Sequence, residues 1–459
     1  MAISTRNLSR GRRWRGAGRS LCLTFLPVRL VFLCGLMLIW PATFSQWARA
    51  SELPTPALAP ALALAKPLQA GPVTLNIATR PDFIPPDTLR QFEAESGILV
   101  HLDTYASDES LLAALRSGKS DWDLVAASAD TALHIGVPEK LFQPVDVSKL
   151  GNYSNVDPDS LAWAASVDPG NRIGVPFLWG SSGFAVNMAK LRPLLNGVKG
   201  FAPPPPPPPP SPSSPPPPAG ATASTGDKMA APVAGDSPNA SEGQDSAYET
   251  LALMLDPAIA KRISQSCGLA VEDLPVNFFP AALVGLGFDP KKPDAKALDA
   301  VGERLDQLKP YLKRLPPDRF ADALANGTIC VGFGASLQVA DAETRADQRE
   351  TGIELTYFVP REGARLWLDL LAIPAHARHA DAARSFIDFL LRPEVIADVT
   401  DWTGAANPNI LAAGFVEDDD DADETVFPSE ATRARLFLTR PLSADLIRQE
   451  SRIWNRTAP

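Results

Sequence analysis

The spacing of apolar and polar residues in the first third of the chain predicts strands that alternate with helices. Short apolar or alternating runs, which favour strands, occupy residues 73–77, 98–102 and 123–126. Between these runs, one helix is expected to begin near Pro86 and end at Gly97, and a second to begin at Ser107 and end at Gly118. Strands and helices in this order, with short connections, predict an α/β lobe around a mostly parallel sheet.

The pattern continues farther along the chain. Two strand-like runs, 175–180 and 184–187, flank a Gly/Ser segment that is typical of a turn. Residues 248–312 favour helices, with an apolar run at 278–283 that we expect to be buried. Further strands are predicted at residues 329–332, 354–359 and 367–373. Residues 381–391 predict an amphipathic helix, because apolar side chains recur there at helical spacing.

A proline-rich segment interrupts this pattern. Residues 203–210 and 215–218 are uninterrupted prolines, and Ser, Gly, Ala and Thr are common in the rest of the segment. Such a composition buries too little apolar surface to build a core. We therefore expect residues 200–246 to be a disordered insert tolerated in a surface loop. A polyproline spacer or docking element is the alternative.

These patterns divide the chain into parts. We expect residues 72–180 to form the first part of one lobe, and residues 181–365, with the insert, to form a second lobe. Residues 366–459 are expected to return to the first lobe and to add C-terminal helices.

The first fifty residues have the pattern of a secretory signal peptide. Six arginines precede a mostly apolar stretch at residues 21–40, and Ala48 and Ala50 stand at the −3 and −1 positions of a cleavage site. The apolar stretch is nearly long enough to cross a membrane, so an uncleaved anchor is the alternative. With cleavage of residues 1–50, we expect residues 51–71 to be a flexible leader and the protein to lie in the periplasm.

Removal of this segment changes the charge of the chain. Residues 1–50 contain eight arginines and no acidic residue, so cleavage takes the formal net charge from −10 to −18. A protein this acidic is not expected to bind nucleic acid or an anionic membrane surface. The charge is compatible with a cationic ligand, and equally with solubility alone.

Two cysteines, Cys267 and Cys330, remain after cleavage. An even number in an oxidising compartment predicts one disulfide, with two buried free thiols as the alternative. The bridge would close a loop of roughly 60 residues and stabilise the fold by on the order of 4 kcal/mol.

The chain carries no motif that indicates an enzyme. Its four histidines lie outside any nucleophile motif, and G-x-S-x-G is absent. The sequence contains no P-loop, and no G-x-G-x-x-G follows a predicted strand. We therefore expect a binding protein that has no catalytic residues and needs neither a cofactor nor a metal.

Four stretches are specific when they are taken in this order and spacing. They are PDTLRQFEAESGI at 86–98, DLVAASA at 123–129, VPFLW at 175–179 and FLLRPEV at 389–395. These stretches resemble the periplasmic putrescine- and spermidine-binding proteins of ABC importers, within the extracellular solute-binding protein family. The resemblance implies an α/β, two-lobed periplasmic binding-protein fold of type II-like topology that closes on its ligand by a hinge between the lobes. It also implies an ABC permease and ATPase as partners of a monomer, and a Cys267–Cys330 disulfide.

The resemblance further implies a ligand-binding site. A diamine needs carboxylates for its ammonium groups and aromatic walls for its methylenes. At positions where the family carries such residues, this sequence has Asp82, Phe83, Ser128, Trp367 and Asp369.

Other positions depart from the family. Where the family has a tryptophan this sequence has Arg80, and where the family has an acidic residue it has Asn277. The Trp and Asp of the family's Trp-x-x-Asp are replaced by Ala335 and Gln338, and a tyrosine of the family is replaced by Ala405. Three of these replacements carry polar groups, and we expect them to contact the ligand: Arg80, Asn277 and Gln338.

The resemblance therefore implies delivery of a polyamine, such as putrescine or spermidine, to an ABC importer. Arg80 would repel a bound dication. One alternative is therefore an ω-amino acid or another amine, with its amine on Asp369 and any carboxylate on Arg80. A second alternative is a sensing or interaction protein that serves no transporter.

Overall fold

A mixed β-sheet organises the protein in the computed structural model, which describes residues 73–201, 246–417 and 425–456. The strands are β1 (Thr74–Thr79), β2 (Leu99–Thr104), β3 (Leu124–Ser128), β4 (Phe142–Gln143), β5 (Gly174–Val186), β6 (Leu269–Glu272), β7 (Lys313–Leu315), β8 (Val331–Ala335), β9 (Thr356–Phe358), β10 (Ala364–Pro374) and β11 (Leu436–Phe437). Their order is β2-β1-β3-β10-β5-β8-β6-β7, while β4 and β11 pair with β10, and β9 pairs with β5. The expected signal peptide, the leader and nearly all of the proline-rich insert lie outside the described residues.

Helices connect most of these strands. They are α1 (Pro86–Ser96), α2 (Asp108–Ser117), α3 (His134–Gly136), α4 (Pro158–Ala165), α5 (Met188–Leu195), α6 (Ala252–Leu255), α7 (Pro257–Ser266), α8 (Pro275–Gly285), α9 (Ala295–Leu308), α10 (Pro317–Ala325), α11 (Ser336–Gln348), α12 (Ala380–Leu390), α13 (Pro393–Thr403), α14 (Glu430–Arg433) and α15 (Ala444–Arg456). Short 3₁₀ helices occur at Val147–Lys149, Tyr153–Asn155 and Ala412–Gly414, and a π-helical turn at Ala129–Leu133. In the described part of the chain, no helix has both the length and the apolar character needed to cross a membrane.

Strands β1, β2 and β3 are parallel, with α1 and α2 between them in the chain, as the sequence predicts. Pro86 occupies the first turn of α1, and Gly97 ends that helix with a left-handed φ of 70°. The Ser107 side chain accepts a hydrogen bond from the backbone N–H of Ser110 and so caps α2. These local signals explain why the predicted ends of both helices agree with the structure.

Strand β5 corrects one sequence expectation, since it runs unbroken through the predicted Gly/Ser turn. A Cβ atom on Gly180 would lie 2.6 Å from the Trp367 ring, and one on Gly183 would lie 2.6 Å from the Tyr357 ring. The small residues therefore allow aromatic side chains to pack against a buried strand, and do not form a turn.

The same strand joins the two halves of the sheet. Up to Ser181, β5 pairs with β10, whereas from Ser182 onward it pairs with β8 and β9. We call β1, β2, β3 and β10 the first half-sheet, and β6, β7 and β8 the second. Each half-sheet combines parallel strands with antiparallel pairing to β5 or β10.

Helix α15 closes the apolar core of the second half-sheet. Its Trp454 ring lies 5.4 Å from the ring of Phe278 and 5.9 Å from that of Phe279, both on α8. The guanidinium of Arg314, on β7, stacks 3.9 Å from the Trp454 ring centroid. The chain after residue 366 therefore begins in the first half-sheet, through β10, and ends against the second.

The predicted disulfide is present. Cys267, just after α7, is bonded to Cys330, just before β8, with 5.4 Å between their Cα atoms. Sixty-three positions of sequence separate the two cysteines, so the bridge ties a long loop of the second half-sheet.

Candidate ligand-binding site

A group of buried polar side chains lies where strands of the first half-sheet end. Asp369 on β10 pairs in register with Ser128, the last residue of β3. The Ser128 hydroxyl donates a 2.7 Å hydrogen bond to Oδ2 of Asp108, the first residue of α2. The carboxyl ends of parallel strands are the usual location of ligand sites in open α/β sheets. The fold thus brings Asp108, Ser128 and Asp369 together from three separate parts of the chain.

Arg80, which follows β1, lies between two of these carboxylates. Its Nη2 atom is 3.6 Å from Oδ1 of Asp108 and 3.6 Å from Oδ1 of Asp369. Its guanidinium carbon lies 5.9 Å from the centroid of the Phe83 ring. The Asp369 carboxylate raises the pKa of Arg80, so this side chain stays charged. The sequence alternative pairs Arg80 with a carboxylate of the solute, whereas here its partners are carboxylates of the protein.

Burial changes the acidity of this group. Desolvation raises the pKa of Asp369 to about 6, although Arg80 opposes the shift. Burial also raises the pKa of Asp108, again against the influence of Arg80. The Tyr105 hydroxyl donates a 2.7 Å hydrogen bond to the carbonyl of Ala126, and burial raises its pKa as well. Arg80 alone therefore does not compensate for the burial of the two carboxylates.

A second set of polar side chains joins the two half-sheets. Arg365 on β10 donates to Oδ2 of Asp130 at 2.7 Å and to Oδ1 of Asn277 on α8 at 3.3 Å. Asn277 in turn donates to Oε2 of Glu272 at 2.8 Å and accepts from the hydroxyl of Ser182 at 3.2 Å. Burial raises the pKa of Glu272, which is 2 % exposed.

The two sets interact and together carry excess negative charge. Asp130 raises and Arg365 lowers the pKa of Asp369, which belongs to the group around Arg80. The carboxylates are Asp108, Asp130, Glu272 and Asp369, and the cations are Arg80 and Arg365. None of the described residues donates a hydrogen bond to three buried carboxylate oxygens, namely Asp108 Oδ1, Asp130 Oδ1 and Asp369 Oδ2. A buried acceptor without a donor is costly, so these oxygens favour a ligand that brings both N–H groups and positive charge.

The remaining predicted site residues lie around or beyond these contacts. Phe83 is buried beside Arg80, and Trp367 is buried against Gly180 with its indole Nε1 unpaired among the described residues. Asp82 has an exposed side chain, and its backbone carbonyl accepts a 3.0 Å hydrogen bond from Trp402. Gln338 is half-buried on α11. Ala335 offers its backbone N–H to Glu272 at 3.0 Å, and Ala405 is buried.

Sequence reasoning missed several members of the group. They are Tyr105, Asp108, Asp130, Glu272 and Arg365. Glu272 ends the apolar strand β6, and Asp130 follows the buried strand β3, so a charged residue at the end of an apolar strand was the available signal. Arg365 carried no local signal, since its partners come from distant parts of the chain.

Within the described residues, no group of three or more His, Cys, Asp or Glu side chains has an arrangement that could hold a metal ion.

Two surface cavities lie away from the polar group. The cavity of about 530 Å³ borders the disulfide and includes Lys190 and Lys313 in its lining. The cavity of about 430 Å³ lies between α1 and α12.

The sequence profile of the bacterial extracellular solute-binding protein family matches residues 87–422. The putrescine-binding periplasmic protein SpuD of Pseudomonas aeruginosa is 30% identical over 382 residues, which is 83% of this chain and 91% of that protein. The putrescine-binding periplasmic protein PotF of Escherichia coli is 30% identical over 392 residues, covering 85% of this chain and 92% of that protein.

Solved structures show the same fold. The spermidine/putrescine ABC transporter substrate-binding protein PotD of Streptococcus pneumoniae superposes with a TM-score of 0.61 at 21% identity, over 84% of this chain and 98% of its own. A spermidine/putrescine ABC transporter protein of Listeria monocytogenes gives a TM-score of 0.61 at 22% identity, with the same 84% of this chain and 98% of its own covered. The expected two-lobed α/β periplasmic binding-protein fold is thereby confirmed. The profile match and the two relatives above make the chain a member of the bacterial extracellular solute-binding protein family.

Proposed function

We propose that this chain binds a cationic amine of the polyamine class in the periplasm and delivers it to an ABC importer. The observation that carries the proposal is the buried excess of carboxylates. Two arginines interact with these four carboxylates: Arg80 with Asp108 and Asp369, and Arg365 with Asp130 and Glu272. Three carboxylate oxygens lack a hydrogen-bond donor among the described residues, namely those of Asp108, Asp130 and Asp369.

An ammonium group meets both needs of this site. It brings a positive charge and N–H donors, which the buried carboxylates lack. Burial raises the pKa of Asp369 and of Asp108, and a bound cation would lower both again. The Phe83 ring adds an aromatic face that attracts cations and packs against methylenes.

The proposed site combines residues from both half-sheets. From the first half-sheet it includes Phe83, Asp108, Ser128, Asp130, Trp367 and Asp369. From the second it includes Glu272 and Asn277. Because Arg365 links Asp130 to Asn277, movement of one half-sheet relative to the other would rearrange the site.

The relatives support the same solute class and the same setting. SpuD and PotF carry the names of putrescine-binding periplasmic proteins, and the Streptococcus pneumoniae protein that of a spermidine/putrescine ABC transporter component. We extend to this chain a periplasmic location after signal cleavage, and an ABC permease and ATPase as partners. We expect a monomer that binds no nucleic acid.

Titration calorimetry of the mature protein with putrescine, spermidine and γ-aminobutyrate tests the proposal. We expect binding of at least one polyamine, with thermal stabilisation of about 2.7 kcal/mol at 100 times the dissociation constant. Tight binding of γ-aminobutyrate with no response to either polyamine would overturn the solute class in favour of an ω-amino acid. Loss of polyamine uptake on deletion of the gene tests the importer partnership.

A further inference from the structure

We infer that Arg80 acts as a built-in cation that competes with the solute and sets how many positive charges the site accepts. The inference rests on the proposed function, since it concerns selection among amines. It treats Arg80 as a specificity-determining residue.

The surroundings of the Arg80 guanidinium match those that would recognise an ammonium group. Carboxylates of two different elements, Asp108 on α2 and Asp369 on β10, each lie 3.6 Å from the same Nη2 atom. The Phe83 ring lies 5.9 Å from the guanidinium carbon. Two carboxylates and an aromatic face are the groups that hold an alkylammonium in a protein. Arg80 therefore occupies the position of one cationic group.

The two carboxylates hold Arg80 without hydrogen bonds, and its side chain also interacts with the Tyr105 hydroxyl. A separation of 3.6 Å is too long for a hydrogen bond, and one third of the Arg80 side chain is exposed. Arg365 differs, because its guanidinium donates to Asp130 at 2.7 Å and its side chain is only 10% exposed. Of these two arginines, Arg365 is fixed by hydrogen bonds, while Arg80 balances Asp108 and Asp369 without hydrogen bonds to them.

This difference gives Arg80 a definite effect on selectivity. Ionised Asp108 and Asp369 together carry two negative charges. With Arg80 included, the three side chains carry a net charge of −1. Each further positive charge on a solute is then attracted less and repelled more. The penalty increases with the charge of the amine, so Arg80 favours amines of low charge over spermidine-like triamines.

Calorimetry with n-butylamine, putrescine and spermidine tests this inference, because these probes carry one, two and three charges. The proteins are wild type, R80Q, R80K and the control R90Q, which removes an equal charge at an exposed site on α1. A pH of about 8 keeps Asp369 ionised. We expect R80Q to bind n-butylamine about tenfold and spermidine about a hundredfold more tightly than wild type. R80K, which retains the positive charge, and R90Q should both bind the three amines with the same relative affinities as wild type.

Equal gains for the three amines in R80Q, or a loss of putrescine affinity, would overturn the role of Arg80. If thermal melting shows that R80Q does not fold, R80M takes its place, since it is also neutral and unbranched. Failure of the proposed function looks different: folded wild type and folded R80Q would then bind none of the three amines.

Discussion

At the scale of single residues, the candidate site depends on carboxylates that distant parts of the chain bury together. Asp369, Ser128 and Arg80 were predicted from the resemblance, because they stand at positions where the family carries ligand-binding residues, and the structure places them close to one another. Glu272 and Arg365 were not, since their burial depends on packing between the two half-sheets. Asp82 was also expected at the site, but its side chain is exposed although it lies only two positions from Arg80.

Replacement of Asp369 by asparagine tests the site directly. The change removes the most deeply buried charge near Arg80 and leaves the shape of the side chain almost unchanged. We expect putrescine affinity to fall about a hundredfold, which corresponds to ~2.7 kcal/mol. D87N, on the exposed surface of α1, is the matched control and should bind as wild type does. Calorimetry at about pH 8 measures both, and unchanged binding by D369N would exclude this carboxylate from the site.

The pH dependence of stability provides a second check on Asp369. Its pKa in the folded protein is about 6, whereas an aspartate in an unfolded chain titrates near ~3.9. Between these values the folded state binds more protons, so the free energy of unfolding falls as the pH rises, by on the order of 2 kcal/mol. Urea unfolding at about pH 4.5 and about pH 7, without added amine, should show that wild type loses stability relative to D369N. Equal changes in the two proteins would contradict the raised pKa.

At the scale of elements, the ends of two helices could be predicted from local sequence, whereas the path of β5 depends on tertiary packing. The ends of α1 and α2 follow from Pro86, Gly97 and Ser107, whose effects act within one helical turn. In β5 the composition was misleading, because Gly and Ser are typical of turns. That segment is extended because it pairs with β10, β8 and β9, and because aromatic rings remote in sequence pack on Gly180 and Gly183.

Gly180→Ala tests this interpretation of β5. The new methyl group would lie 2.6 Å from the Trp367 ring and 2.7 Å from the Ser336 hydroxyl, so strand or ring must shift. We expect a loss of about 1–3 kcal/mol in the free energy of unfolding, measured by urea titration. Gly414→Ala, where an added Cβ has nothing within 4 Å, is the control and should change stability little. Equal stability of the two variants would mean that Gly180 is not required for packing.

At the scale of the whole molecule, the fold was predictable and the details of the site were only partly so. Alternating strands and helices, the resemblance and the cysteine pair anticipated the α/β architecture and the Cys267–Cys330 bridge. The packing of α15 on α8 was not anticipated, because an amphipathic helix does not indicate which core it covers.

The disulfide should account for much of the stability of the second half-sheet. In the chain-entropy model, a bridge across 63 positions stabilises the fold by on the order of 4 kcal/mol. Urea unfolding with and without a reductant measures this contribution. The C267S/C330S double variant should match the reduced wild type and should not respond to the reductant. A wild-type midpoint that is the same in both conditions would show that the bridge adds nothing.

The pairing of Phe201 with Tyr248 has a practical consequence for protein engineering. Their ring centroids lie 5.8 Å apart, although 47 positions separate them in the sequence. Phe201 and Tyr248 thus lie side by side in the core of the second half-sheet, so replacement of the sequence between them by a folded domain with adjacent termini should leave the remainder intact. A circularly permuted fluorescent protein inserted there would be attached to the same half of the molecule as Glu272 and Asn277. Its emission could then report amine binding in real time, which would make the scaffold a genetically encoded sensor.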